Sequence, residues 1–144
     1  MLRQVTPEIL DSLPDQHPDA QSSRRDLRII NRLMGTQQWF RQQLSDLTQD
    51  TNCLEIGAGD GALALSLVEH FKHLNYTAID QVAAPDDLPA QIQWLQEDLF
   101  SSTSYGVADT LLANLILHHF EDAALAELGA RIQESSIQSM LVSE

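Results

Sequence analysis

Three glycines spaced two apart, in the run Glu55-Ile56-Gly57-Ala58-Gly59-Asp60-Gly61, constrain this chain more than any other feature. The run follows a short apolar stretch, Cys53-Leu54-Glu55-Ile56, that reads as a strand. It precedes residues 62–71, whose Ala and Leu fall at helical spacing. Glycine reaches backbone angles that a Cβ forbids, and it lets the main chain approach a ligand closely. A helix beginning near Gly61 aims its first N–H groups into the turn and favours negative charge there.

The same alternation continues downstream. Tyr76-Thr77-Ala78-Ile79 predicts a second strand, ending at Asp80. Residues 86–88 suggest a brief helix or turn, 91–95 a third strand, and 110–117 a fourth, more buried one. Residues 121–132 read as a helix with Ala124, Leu125, Leu128 and Ile132 apolar, and Met140-Leu141-Val142 begins a fifth strand. Strands alternating with helices call for a mostly parallel α/β sheet covered on both faces. Such sheets bind ligands beyond the C-terminal ends of their strands. The glycine turn, Asp80, Asp98 and Asn114 all fall at such ends. Asp80 also stands where a carboxylate accepts from ribose hydroxyls, about 20 residues past the turn.

Residues 1–50 have a different texture and form a predicted helical segment ahead of the 51–144 core. Thr6-Pro7-Glu8 is a helix start that Pro14 ends, and residues 14–22 read as a loop. Ser23 and Asp26 have capping spacing for a helix running to Met34. Gly35 is its natural stop, and Thr36 is placed to cap a helix through Trp39, Phe40 and Leu44.

Charge and cysteine usage narrow the function classes. The net charge is −13, with Lys72 the only lysine, which argues against a nucleic-acid substrate. Arg24, Arg25, Arg28, Arg32 and Arg41 cluster before the glycine turn, and the bland reading of that cluster is a solvated helix face. No apolar run is long enough to span a bilayer and no leader is evident. A lone Cys53 permits no intrachain disulfide and reads as an inert core residue of a cytoplasmic protein. His17, His70 and His73 are too scattered to suggest a metal site.

At the glycine turn the chain resembles the class I S-adenosylmethionine (SAM) dependent methyltransferases, whose fold is Rossmann-like. Their first motif has the form (D/E)-x-G-x-G-x-G, which Glu55 to Gly61 matches at every fixed position. The resemblance runs from about Cys53 to the end of the chain. It implies SAM as cofactor, with Gly57, Ala58, Gly59 and Gly61 forming the turn beneath its methionine and ribose parts. It implies that Glu55 helps hold the amino-acid end and that Asp80 binds the ribose, with Gln81 beside the adenine. Glu97-Asp98-Leu99-Phe100 looks like the third motif, where Asp98 accepts from the adenine amine and Leu99 packs near the ring. Asn114 would offer its backbone carbonyl to the methionine amine and border the transfer site. The family's sheet usually has seven strands, and this sequence reaches five; the expectation is a piece of a longer enzyme, a shortened product, or an assembly covering the sheet edge, such as a homo-oligomer.

Methyl transfer needs a positioned nucleophile and sometimes a base. His118 and His119 follow the fourth strand, and His118, nearer the strand end, is the candidate base toward a small-molecule acceptor. The bland alternative is that both histidines cap or pack the next helix. Two other functions fit parts of the pattern. Gly57, Gly59 and Ala62 satisfy a loose dinucleotide fingerprint, so an NAD(P) oxidoreductase core is one. A SAM-binding module without catalysis is the other.

Overall fold

The computed structural model describes residues 35–46 and 50–144. The predicted elements between Thr6 and Met34, with Arg24, Arg25, Arg28, Arg32 and His17, lie outside the described residues. Helix α1 (Thr36–Gln43) comes first. Gly35, at φ 71°, turns the chain into it, so glycine takes the capping position expected of Thr36, which is buried as the first helical residue.

Seven further elements follow, with no α-helix between β2 and β3 or between β3 and β4: β1 (Thr51–Ile56), α2 (Ala62–His70), β2 (Leu74–Asp80), β3 (Ile92–Gln96), β4 (Thr110–Asn114), α3 (Asp122–Gln133) and β5 (Ser139–Ser143). The strands form one sheet in the order β3-β2-β1-β4-β5. Every pairing is parallel. The fold is therefore Rossmann-like: the alternating pattern predicts the parallel sheet, and the resemblance implies the Rossmann-like form. The order reverses between β1 and β4, so the connections leaving these two strands run to opposite faces and open a crevice above their C-terminal ends.

Side chains alternate across a strand, so each strand feeds two cores. On one face Cys53, Tyr76, Ala78 and Leu112 pack under Phe40 and Leu44 at α1 and under Leu63, Ala64 and Leu67 of α2. On the other, Leu54, Ile56, Ile79, Leu111 and Ala113 pack with Leu128 of α3 and with Tyr105. Helices thus lie on both faces, but among the described residues the second face is only partly covered. The β3–β4 connection holds just a 3₁₀ turn, Ser104–Val107. The sequence matches this gap with polar residues. Asn52, Asn75 and Gln93 are exposed there. Asn75 donates to Asn52 Oδ1 (3.2 Å), and Asn52 donates to Asp109 through its backbone N–H and Nδ2 (2.9 Å each).

The fourth strand is shorter than its apolar run predicts. It ends at Asn114 because Leu115 adopts φ 53°, a left-handed conformation that a branched side chain rarely enters. Leu115 N–H still bonds to the Ser143 carbonyl (2.8 Å), after which Leu117–His119 form a 3₁₀ turn. Apolar composition alone cannot register this break, since the turn is held from another strand.

Candidate functional site

The crevice is built from four strand ends. Gly57, Gly59 and Gly61 all have positive φ (67°, 59° and 74°), so the turn leaving β1 is closed to ordinary side chains. The glycines serve different neighbours. A Cβ on Gly57 would lie 2.5 Å from Ile116 Cγ1, so this glycine admits Ile116 from the segment after β4. A Cβ on Gly61 would touch Leu88, Pro85 and Trp94 at 3.4–3.5 Å. Among the described residues, a Cβ on Gly59 would meet nothing within 4 Å, so they leave this side of the turn open. Gly57 and Ala58 both donate to the Ile79 carbonyl (2.9 and 3.2 Å), and Gly61 N–H closes the turn onto Ala58 (2.9 Å).

Asp80 ties the second strand to this turn. Its Oδ2 accepts from Gly59 N–H at 2.6 Å, and its Oδ1 accepts from Val82 N–H at 3.0 Å. Each carboxylate oxygen keeps a further lone pair for another donor. Gln81 is exposed beside it, and the Gln81 carbonyl accepts from Gln96 Nε2 (3.1 Å). Trp94 Nε1 donates to the Val82 carbonyl (3.1 Å), which holds the segment after β2 near Gly61. At the end of β3, Asp98 Oδ1 accepts from Phe100 N–H (2.9 Å). Leu99 is only 9% exposed and belongs to the core with Tyr105, whose hydroxyl donates to the Leu99 carbonyl (3.1 Å).

Glu55 lies beneath the turn rather than in the open crevice. It is 2% exposed, and Tyr76 Oη donates to its Oε2 at 2.8 Å. Burial pushes its carboxyl up to about 8, against the lowering effect of Tyr76, with Asp80 and Asp60 adding to the rise. Alternation puts Asn114 on the same face as Glu55 and Leu112. Asn114 Oδ1 is buried and accepts no hydrogen bond from the described residues. A buried acceptor left without a donor costs about 1–3 kcal/mol, so it marks a place where a donor is expected.

The segment after β4 carries the remaining candidate. His118 Nδ1 lies 2.6 Å from Glu144 Oε2. The same carboxylate accepts from the backbone N–H groups of Ile116 (3.3 Å), Leu117 (2.8 Å) and His118 (3.2 Å). Burial raises the Glu144 pKa, but the hydrogen bonds from His118 and from these amides outweigh it and leave the pKa lowered. His118 and His119 also pack ring to ring, with centroids 4.1 Å apart.

The structure therefore brings Gly57, Ala58, Gly59, Gly61, Asp80 and Asn114 to one rim, with Glu55 below it and Gln81, Asp98 and His118 around it. Sequence reasoning missed Tyr76, Ile116, Trp94 and Glu144. Tyr76 carried a faint signal, a hydroxyl in a strand otherwise built for burial. Glu144 carried none. Burial and the charge of Asp109 push Cys53 up to about 12, so its thiol stays protonated. Among the described residues no group of His, Cys, Asp and Glu converges to hold a metal. None of their helices is long and apolar enough to cross a membrane. A cavity of about 440 Å³ opens at the opposite ends of β1–β3, beside Asn52, Lys72 and Gln93, away from the glycine turn.

No family model matches the chain. Over 87 residues, 59% of this chain and 24% of the relative, it is 30% identical to Probable scoulerine-9-O-methyltransferase OMT2B of Papaver somniferum. Among solved structures it is similar to the plantazolicin methyltransferase BpumL in complex with S-adenosylhomocysteine (SAH), with a TM-score of 0.65 and 20% identity. That match covers 87% of this chain and 52% of the neighbour. The SAM-dependent methyltransferase SibL, in its apo form, matches with a TM-score of 0.69 and 16% identity, over 92% of this chain and 40% of the neighbour. The chain thus has the fold of SAM-dependent methyltransferases, and it spans about half or less of the length of these proteins.

Proposed function

We propose that this chain is the SAM-binding core, over 51–144, of a methyltransferase that acts on a small-molecule acceptor. The observation that carries the reading is the 2.6 Å hydrogen bond from Gly59 N–H to Asp80 Oδ2, which sets an open glycine turn beside a carboxylate at the strand ends. The relatives support it: one is named an O-methyltransferase, and another is complexed with SAH.

The residues present fit SAM. Gly59 leaves its face of the turn clear, and Asp80 retains acceptor capacity for ribose hydroxyls. Asn114 Oδ1 is a buried acceptor with no donor among the described residues, and an ammonium supplies one. Glu55 adds a carboxyl on the same face. Asp98, Leu99 and Gln81 border the end of the crevice assigned to the adenine. When bound, SAM supplies an electrophilic methyl group together with its own leaving group.

His118 is proposed as the base. Its Nδ1 faces the Glu144 carboxylate, so that nitrogen carries the proton and Nε2 is left as the acceptor. Glu144 also stabilises the imidazolium that forms when Nε2 takes a proton from the acceptor. The ring is 40% exposed, which leaves it accessible to a substrate.

A second reading is a SAM-binding module without catalysis. We also place the protein in the cytoplasm, on its single cysteine, and propose that a second copy pairs along β5, an edge of the described sheet. Calorimetry with SAH and NAD tests the binding assignment: SAH binds and NAD does not. Binding of NAD alone overturns it. In an enzyme that turns over, His118→Ala lowers kcat by at least about 100-fold with little change in SAH affinity. Unchanged kcat removes the proposed base.

A further inference from the structure

We infer that ligand binding at the glycine turn is linked to proton release from Glu55, and that Tyr76 is the positioning residue that sets this linkage. The inference rests on the reading that a ligand with a cationic amino-acid end binds here. It assigns Tyr76 a role and makes binding at this site dependent on pH.

The geometry has three parts. First, Glu55 is buried at the base of the crevice among groups that cannot balance its charge. On its face β4 presents Leu112 and Asn114, and α2 presents Leu63, Ala64 and Leu67. The titratable groups around it are Asp60 in the turn, Asp80 at the end of β2, Tyr76 on β2 and Cys53 on β1. The first two are acids, and burial and the neighbouring Glu55 charge hold Tyr76 protonated, far above its ordinary range. The thiol of Cys53 is likewise neutral. Among the described residues, no cation faces Glu55.

Second, a buried charge without a partner is costly, so the carboxyl takes a proton instead. A ligand ammonium reverses that balance, because an opposite charge within about 4–6 Å favours the carboxylate. The proton then leaves Glu55 for bulk water as the cation arrives. Asn114 Oδ1, without a hydrogen-bond donor among the described residues and on the same face, is the second acceptor for the same ammonium.

Third, the Tyr76 hydroxyl at 2.8 Å fixes the carboxyl's orientation and favours its charged form. It keeps the proton exchangeable near neutral pH. Without that donor the carboxyl holds its proton to higher pH, and the pH range of tight binding moves upward.

The test is isothermal titration of the full chain in two buffers of different ionisation enthalpy, at pH 6, 7 and 8. SAH is the cationic probe, and 5′-methylthioadenosine is the probe that lacks the amino-acid end. With SAH the wild type releases between half and one proton at pH 7, and affinity rises up to tenfold per pH unit below pH 8. 5′-Methylthioadenosine binds with no proton release. Glu55→Gln abolishes the release, and Tyr76→Phe moves the pH midpoint upward. SAH binding with equal affinity at pH 6 and 8, and with no buffer-dependent heat, overturns the inference and leaves the proposed function standing. Failure of SAH to bind at any pH overturns both. A Tyr76→Phe midpoint identical to the wild type removes the role of Tyr76.

Discussion

Glu144 reaches across 26 residues of sequence to place its carboxylate 2.6 Å from His118 Nδ1, and it collects the N–H groups of Ile116, Leu117 and His118 on the same two oxygens. One side chain thereby shapes the turn after β4 and orients the candidate base. Glu144→Gln keeps one acceptor oxygen but loses the charge. Amide exchange at Leu117 and His118 is expected to accelerate about 5–10-fold, the equivalent of about 1 kcal/mol. Because the Glu144 pKa is lowered by folding, this contribution is full above its ordinary carboxylate value and is lost as pH falls below that value, through the lowered folded one. Exchange rates unchanged by the substitution would show that the turn holds itself.

Gly57 and Ile116 make a steric pair that a double mutant resolves. Gly57→Ala meets both a positive φ and a Cγ1 contact at 2.5 Å. The expected loss is about 2–3 kcal/mol in denaturant unfolding, the sum of backbone strain and overpacking. Adding Ile116→Ala removes the overpacking, so the double mutant should lose less than the two single losses summed. Simple additivity would place Ile116 elsewhere.

Asp80→Asn replaces one of two acceptor oxygens that grip Gly59 and Val82 with a donor. SAH affinity is expected to fall about 10–100-fold, the range for losing a charge-assisted hydrogen bond. Calorimetry reads this directly. A change under twofold would detach Asp80 from the ligand.

Glu55 also leaves a signature in the ligand-free protein. Its carboxyl rises from an ordinary value of 4.5 to about 8 on folding, so the folded chain binds more protons than the unfolded chain between those limits. Stability from this group is full below the lower limit and declines as pH rises toward the upper one, by at most ~1.4 kcal/mol per pH unit. Denaturant titrations from pH 5 to 9 should show this decline in the wild type and a flatter profile in Glu55→Gln. Parallel profiles would mean that Glu55 titrates alike in both states.

The chain itself dictates the parallel sheet and the position of the crevice. Strand and helix periodicities are local, and Gly57, Gly59 and Gly61 each require a backbone angle written into their own lack of a side chain. Asp80 and Asn114 were legible because strand ends in such a sheet share one rim. Tertiary structure decided the rest. Only packing shows that Glu55 is sealed against Tyr76, that Gly57 exists for Ile116, and that Leu115 ends a strand which composition would continue. Glu144 joins His118 because β5 lies parallel to β4 and ends at the same rim. Such contacts bring together residues far apart in the chain, and their free energy depends on burial and distance, which no local pattern encodes.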